Sequence, residues 1–216
     1  MSQFDKVKIV KRIINELEEN QVVNLGIGIP TIIPNYLKGK KIFFQSENGL
    51  LGIGPAPPEN EINMDLTSAG REPITMEIGS SLFDSSASFA MIRGGHIDVA
   101  VLGALQVDQT GEIANWAVPG KAVLGVGGAM DLIVGAKKVI IAMTHTSKDN
   151  QPKLVEKLTF PSSGSRKIDM VVTEHAVFKF NNNKMILIEI ISDITLEELM
   201  KITEANFIVE EKLLSK

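Results

Sequence analysis

At 216 residues with 44% hydrophobic side chains, the chain is long enough to bury a sizeable core and suits a single domain spanning 1–216. A formal charge of −4 with no run of lysine or arginine offers nucleic acid no electrostatic footprint, and the absence of cysteine removes disulfide frameworks and thiolate metal sites. Residues 1–20 mix charges with apolar positions, unlike a signal peptide, and no apolar run approaches membrane-spanning length, so a cytoplasmic protein is expected.

Val7, Val10, Ile13, Ile14 and Leu17 recur at helical spacing between lysines and glutamates, which predicts an amphipathic helix at the start. Residues 21–25 predict a short strand running into Gly26-Ile27-Gly28-Ile29-Pro30-Thr31, with a second helix opening near Pro30. Residues 41–47 predict a β-rich run, and 48–72, dense in Gly, Pro and Asn, predict a long loop of the kind that often carries function. A helix over 85–92 ends at Gly94-Gly95, and 98–102 reads as a buried strand. Residues 106–116 predict a hairpin turning at Gln109-Thr110-Gly111. A glycine-dense stretch over 121–128 leads to one helical turn at 130–134 and a buried strand at 139–143. Residues 176–180 and 185–189 flank Asn181-Asn182-Asn183, a hairpin signal, and Thr195-Leu196-Glu197-Glu198 is a capping box opening a last helix. Strands alternating with helices predict an α/β fold with an open, mostly parallel or mixed sheet flanked by helices. The echo between Gly94-Gly95-His96-Ile97-Asp98 and Gly127-Gly128-Ala129-Met130-Asp131 is too short for a repeat.

Several chemistries find no residues. His96, His145 and His175 lack the spacing of metal ligands and read as structural or surface residues; no metal is expected. No G-x-S-x-G, Walker A or complete Rossmann glycine pattern is present. Glycine placement is the positive signal. Gly26/Gly28, Gly49/Gly52/Gly54 and Gly125/Gly127/Gly128 fall at predicted strand ends, where backbone N–H groups can approach a phosphate-bearing or thioester ligand, or simply make tight turns. Glu47 lies between an apolar strand and Asn48-Gly49. It reads either as a carboxylate carried to the glycine loops or as part of an Asn-Gly hairpin.

Gln45-Ser46-Glu47-Asn48-Gly49-Leu50-Leu51-Gly52-Ile53-Gly54-Pro55 resembles the Ser-Glu-Asn-Gly signature of the family I CoA-transferases, where it marks the β subunit or the C-terminal half of fused forms. The similarity extends in order from about Val22 to Met143. It includes the glycine motif Val23–Thr31, Phe83-Asp84-Ser85, Ile92-Arg93-Gly94-Gly95-His96-Ile97-Asp98, Leu102 to Asp108, Ala114-Asn115-Trp116, Pro119-Gly120-Lys121 and Gly127-Gly128-Ala129-Met130-Asp131-Leu132.

The resemblance implies that Glu47 attacks an acyl-CoA and carries CoA as a glutamyl thioester. It implies that Gly26, Gly28, Asn48, Gly127 and Gly128 bind substrate, with the Gly128 N–H a donor to the oxyanion. No bound cofactor is implied, coenzyme A being a substrate. The family's α-subunit glycine motif is absent, which implies a separate α partner and an α2β2 assembly. Within the family the resemblance points to the acetate/butyrate–acetoacetate type, while the succinate and 3-oxoadipate types share the same motifs. Acyl-CoA hydrolysis and non-catalytic binding of a CoA ester are the competing functions. One departure stands out: Ser68-Ala69-Gly70-Arg71 has arginine where a further glycine is expected, which bears on substrate fit rather than on the chemical step. Asn48 also reads as a positive-φ turn residue, Trp116 as core or an intersubunit contact, Asp84 and Asp131 as helix caps, and Arg93 as a surface ion-pair partner.

Overall fold

The computed structural model describes residues 3–120, 125 and 127–214; of the predicted glycine-dense stretch, Lys121, the three residues after it and Val126 lie outside that set. α1 (Gln3–Ile14) forms as its apolar spacing predicts and buries Ile9, Val10 and Ile13. β1 (Val22–Leu25) follows. The helix expected near Pro30 is instead a 3-10 segment, Ile29–Asn35. Pro34 lies inside it and has no N–H to donate, so an α-helical ladder cannot continue there.

β2 (Phe43–Ser46) and β3 (Leu50–Ile53) are antiparallel and turn through Glu47-Asn48-Gly49. The front of the expected 48–72 loop is therefore a strand. Gly52, at φ +92, sits at a register irregularity between Leu51 and Ile53, which explains why this run does not look like a strand in sequence. β4 (Met76–Leu82), unmarked in the sequence reading, pairs antiparallel with β3 and closes that edge.

α2 (Ser85–Arg93) starts as predicted, with the Asp84 carboxylate accepting a hydrogen bond from the Ala87 N–H. β5 (Val99–Leu102) is followed by the predicted hairpin of β6 (Gln106–Asp108) and β7 (Ile113–Ala114). α3 (Ala129–Gly135) leads to β8 (Lys138–Ala142), β9 (Leu154–Val155) and β10 (Met170–Val172). β11 (Ala176–Asn181) and β12 (Lys184–Ile190) form the second predicted hairpin, with Asn182 and Asn183 at positive φ. The capping box of Thr195 and Glu198 opens α4 (Leu196–Lys201); β13 (Phe207–Val209) and α5 (Glu211–Leu214) complete the described chain.

Among the described residues the main sheet has ten strands in the order β13-β12-β11-β10-β8-β5-β1-β2-β3-β4, and β7-β6-β9 form a small second sheet. Strands β10, β8, β5, β1 and β2 are parallel; both flanks are antiparallel apart from β12 and β13. Helix–strand alternation thus holds in the middle of the chain and gives way to hairpins later.

Both faces of the central strands are covered, so their side chains divide between two cores. Val99 and Val101 of β5 face α1, whereas Ala100 and Leu102 face the side of α2 and α3. Because β1, β2 and β5 run parallel, the residues that follow them, Gly26, Glu47 and Gly103, emerge at one edge of the sheet. Carboxyl ends of parallel strands are where open α/β sheets place ligands.

Candidate active site

A cavity of about 440 Å³ opens at that edge. Its walls come from the loop after β1 (Gly26, Ile27), the β2–β3 turn (Glu47), the loop after β5 (Gly103 to Leu105), Trp116 and the approach to α3 (Gly125, Gly127, Gly128). Glu47 is half-buried, and its Oε2 is buried without a hydrogen-bond partner among the described residues. An unpaired buried carboxylate oxygen is costly, and such exceptions call for a ligand, water or a partner group.

The turn that holds Glu47 is fixed by its glycine. Gly49 takes φ +115; its N–H donates to the Ser46 carbonyl at 3.0 Å, and its carbonyl accepts from Phe83 N–H at 2.9 Å. A Cβ at Gly49 would lie 1.9 Å from the Phe83 carbonyl oxygen. Gly128 closes the opposite side. A Cβ there would sit 3.2 Å from Glu47 Cγ and 3.3 Å from Phe89 Cζ, so a side chain would press on both by a few tenths of an ångström, and glycine lets the backbone pack this near without that displacement.

Of the residues singled out in sequence, Glu47, Gly26, Gly127 and Gly128 line the cavity together. Gly26 has its own close approach, with Leu102 Cδ2 3.0 Å from a built Cβ. Gly28 is not in the wall. It is an exposed turn residue at φ +97 whose carbonyl accepts from Thr31 Oγ1 at 2.8 Å. Asn48 is also outside the wall; its Nδ2 donates to the Thr67 carbonyl at 2.9 Å, and Gly49 rather than Asn48 supplies the positive φ of the turn. Trp116 is half-buried in the cavity wall and its Nε1 donates to the Ser162 carbonyl at 3.2 Å. Asp84 caps α2, whereas Asp131 makes no cap and pairs with Arg93 at 2.7 Å. His145 is buried between the hydroxyls of Thr173 and Thr203, and burial, aided by the charges of His175 and Lys153, pushes its pKa down to about 3.

Sequence reading missed a buried polar chain behind the site. Asn24 Nδ2 on β1 donates to Gln45 Oε1 on β2, and Gln45 Nε2 donates to Ser88 Oγ on α2 at 2.8 Å; all three residues are fully buried. The chain ties the strand leading to Glu47 to the strand leading to Gly26 and to the helix whose Phe89 touches Gly128. A signal existed: Asn24 and Gln45 are amides inside strands that are otherwise apolar.

The carboxylate and the glycine loops thus meet at the carboxyl ends of parallel strands, where open α/β sheets bind their ligands. The chain belongs to the coenzyme A transferase family, whose model matches residues 6–201. It is 49% identical over 199 residues to the B subunit of the succinyl-CoA:3-ketoacid coenzyme A transferase of Helicobacter pylori (strain ATCC 700392 / 26695), covering 92% of this chain and 96% of that one. It is 50% identical over 207 residues to the beta subunit of the acetate CoA-transferase of Haemophilus influenzae, covering 95% of this chain and 92% of that one. Among solved structures, the acyl-CoA transferase apoenzyme of Escherichia coli O157:H7 superposes with a TM-score of 0.79 at 21% identity. That match covers 97% of this chain but 42% of the longer chain.

Proposed function

We propose that residues 1–216 act as the β subunit of a CoA-transferase in which Glu47 carries CoA between small carboxylic acids. The observation that carries this reading is the Glu47 carboxylate, with one buried oxygen unpaired, set in a glycine-walled cavity. A Glu47 oxygen attacks the acyl carbon of an acyl-CoA and expels CoA thiolate, leaving an acyl-glutamyl anhydride. The thiolate then attacks the glutamyl carbonyl, releasing the first acid as its carboxylate and leaving a glutamyl-CoA thioester. The acceptor carboxylate repeats both steps in reverse and restores free Glu47. In each tetrahedral intermediate the oxyanion takes the Gly128 N–H as one donor and a group of the α partner as another. The tight approach of Gly128 to Glu47 and the apolar wall of Ile27, Leu102 and Leu105 support this arrangement, since excluding water protects the anhydride from hydrolysis.

The partner is a separate α subunit in a cytoplasmic α2β2 enzyme; relatives named as B and beta subunits support a second kind of chain. The substrates are acetoacetyl-CoA with acetate or butyrate. A second reading, exchange between succinyl-CoA and a 3-oxoacid, is favoured by Arg71, exposed and without an ion-pair partner among the described residues, in a hairpin bonded to Ser46 and Asn48.

The test is mass spectrometry of the chain, purified with its α partner and incubated with acetoacetyl-CoA alone. A gain of one CoA less one water on the peptide carrying Glu47 is expected, and Glu47→Ala removes both adduct and transfer while assembly persists. Wild-type transfer by Glu47→Ala, or steady release of free CoA with no acceptor and no adduct, refutes the reading.

A further inference from the structure

Among the described residues, the non-glycine residues at positive φ are Asn20, Asn150, Asn182, Asn183 and Arg71. Asparagine visits this region readily because its short amide bonds locally, whereas a long side chain gains nothing from it. Arg71, at φ +61, is therefore the outlier. Backbone strain retained under a long charged side chain points to a use for that side chain.

Placement says what that use is. Arg71 lies in a tight hairpin closed by the Thr67–Pro73 bridge, with Arg71 N–H on the Ser68 carbonyl and Ser68 N–H on the Glu72 carbonyl, both at 2.9 Å. The hairpin is fastened to both neighbours of Glu47. Ala69 N–H donates to Ser46 Oγ and Asn48 Nδ2 donates to the Thr67 carbonyl, each at 2.9 Å. Gly70, the residue before Arg71, stands against Ile27, 3.6 Å from a built Cβ to its Cγ1, and Ile27 is a wall of the Glu47 cavity. Two peptide units keep the Arg71 Cα within about 8 Å of the Ala69 Cα, whose N–H is bonded to Ser46 Oγ. The guanidinium is exposed and has no hydrogen-bond or ion-pair partner among the described residues.

We propose that Arg71 is a substrate-binding residue whose guanidinium takes an anionic group of the ligand lying beyond the reacting carbonyl at Glu47. Two sources supply such a group: the distal carboxylate of a dicarboxylic acid, and a phosphate of CoA. A planar fork of N–H donors suits either. This rests on the reading of Glu47 as the CoA-carrying residue, and the test is separable from that reading because it measures binding rather than turnover.

The enzyme is purified with its α partner in a Glu47→Gln background. Dissociation constants are measured calorimetrically for succinyl-CoA, acetyl-CoA and 3′-dephospho-acetyl-CoA. Arg71→Gly and Arg71→Asn both suit the left-handed backbone and lack the charge; Arg71→Lys keeps the charge. The uncharged variants are expected to weaken binding about 5- to 10-fold, the scale of one partly exposed ion pair, with Lys retaining part of the affinity. A loss confined to succinyl-CoA assigns the distal carboxylate. A loss for acetyl-CoA that is absent for its dephospho form assigns the 3′-phosphate, and equal losses for all three assign the diphosphate. Unchanged affinity for all three ligands in variants at least as stable as the parent overturns the proposal. Adduct formation by the wild-type enzyme decides separately whether Glu47 carries CoA.

Discussion

Gly28 and Gly49 give a paired test of how the β2–β3 turn is built. Both have φ in the range that side chains avoid, +97 and +115. They differ in space: a Cβ at Gly28 meets nothing within 4 Å, whereas one at Gly49 would lie 1.9 Å from Phe83 O and 3.0 Å from Phe83 C. Gly28→Ala therefore carries only backbone strain, about 1–2 kcal/mol. Gly49→Ala adds the overlap with a backbone carbonyl that cannot rotate away, for a total of about 3–5 kcal/mol. Relief requires the turn to separate from Phe83, breaking the 2.9 Å bond from Phe83 N–H and moving Glu47 from Gly128. Urea unfolding of the assembled enzyme, followed by circular dichroism, measures the first effect, and the rate of CoA adduct formation measures the second. Gly28→Ala is expected to keep near-normal adduct formation, while Gly49→Ala loses at least tenfold. Equal stability losses, or normal adduct formation by Gly49→Ala, would refute the account of the turn.

Gln45→Met is close in length and shape but strips hydrogen bonds from Asn24 and Ser88, which are both fully buried. A loss of about 2–4 kcal/mol in urea unfolding is expected, and a loss under about 0.5 kcal/mol would show that the chain is dispensable. Thr195→Ala removes one half of the capping box and should lower stability by about 1 kcal/mol. His145 is neutral in the folded protein down to about pH 3, because burial first, and then the charges of His175 and Lys153, disfavour its protonation. The unfolded chain binds that proton below its ordinary value near 6.5. Unfolding therefore takes up a proton between those values, and this contribution is complete above about pH 6.5 and is lost as pH falls toward 3. The slope approaches about 1.4 kcal/mol per pH unit in that window. Comparing urea midpoints of wild type and His145→Gln from pH 6.5 to 4 checks this; parallel slopes would sink it.

The parallel centre of the fold was legible because its strands are short, β-branched and apolar on both faces, as at Val99 to Leu102. The helix starts were legible where a side chain does the capping, at Asp84 and Thr195. What escaped was decided by backbone exceptions. Pro34 held residues 29–35 in a 3-10 form, and Gly52 hid β3 by interrupting its pairing with a bulge. β4 escaped because neither face is buried: Ile78 is fully exposed, so burial imposes no alternation on that strand. At the site, residue types announced Glu47 and the glycines, but only coordinates separate the cavity glycines Gly26, Gly127 and Gly128 from Gly28, which serves the turn. The Asn24–Gln45–Ser88 chain spans β1, β2 and α2 and exists only once those elements meet.

Glu47 had two readings in sequence, a residue of an Asn-Gly hairpin and a carboxylate carried to the glycine loops, and the geometry makes them one arrangement. Inside a strand the side chain of residue 47 would face a neighbouring strand or a covering helix, where its oxygens would either be paired or force that layer apart. At a turn the backbone reverses, and the carboxylate is free to project past the end of β2 toward Gly128. A turn alone is too soft to hold an unpaired buried oxygen, since the carboxylate would swing into water to recover its hydration. Three constraints oppose that here: Gly49 locked to Phe83, Gln45 tied beneath the turn to β1 and α2, and the hairpin of Thr67 to Pro73 clamped to Ser46 and Asn48. The elements that flank Glu47 thus hold its Oε2 in a buried position that a lone turn would give up to solvent.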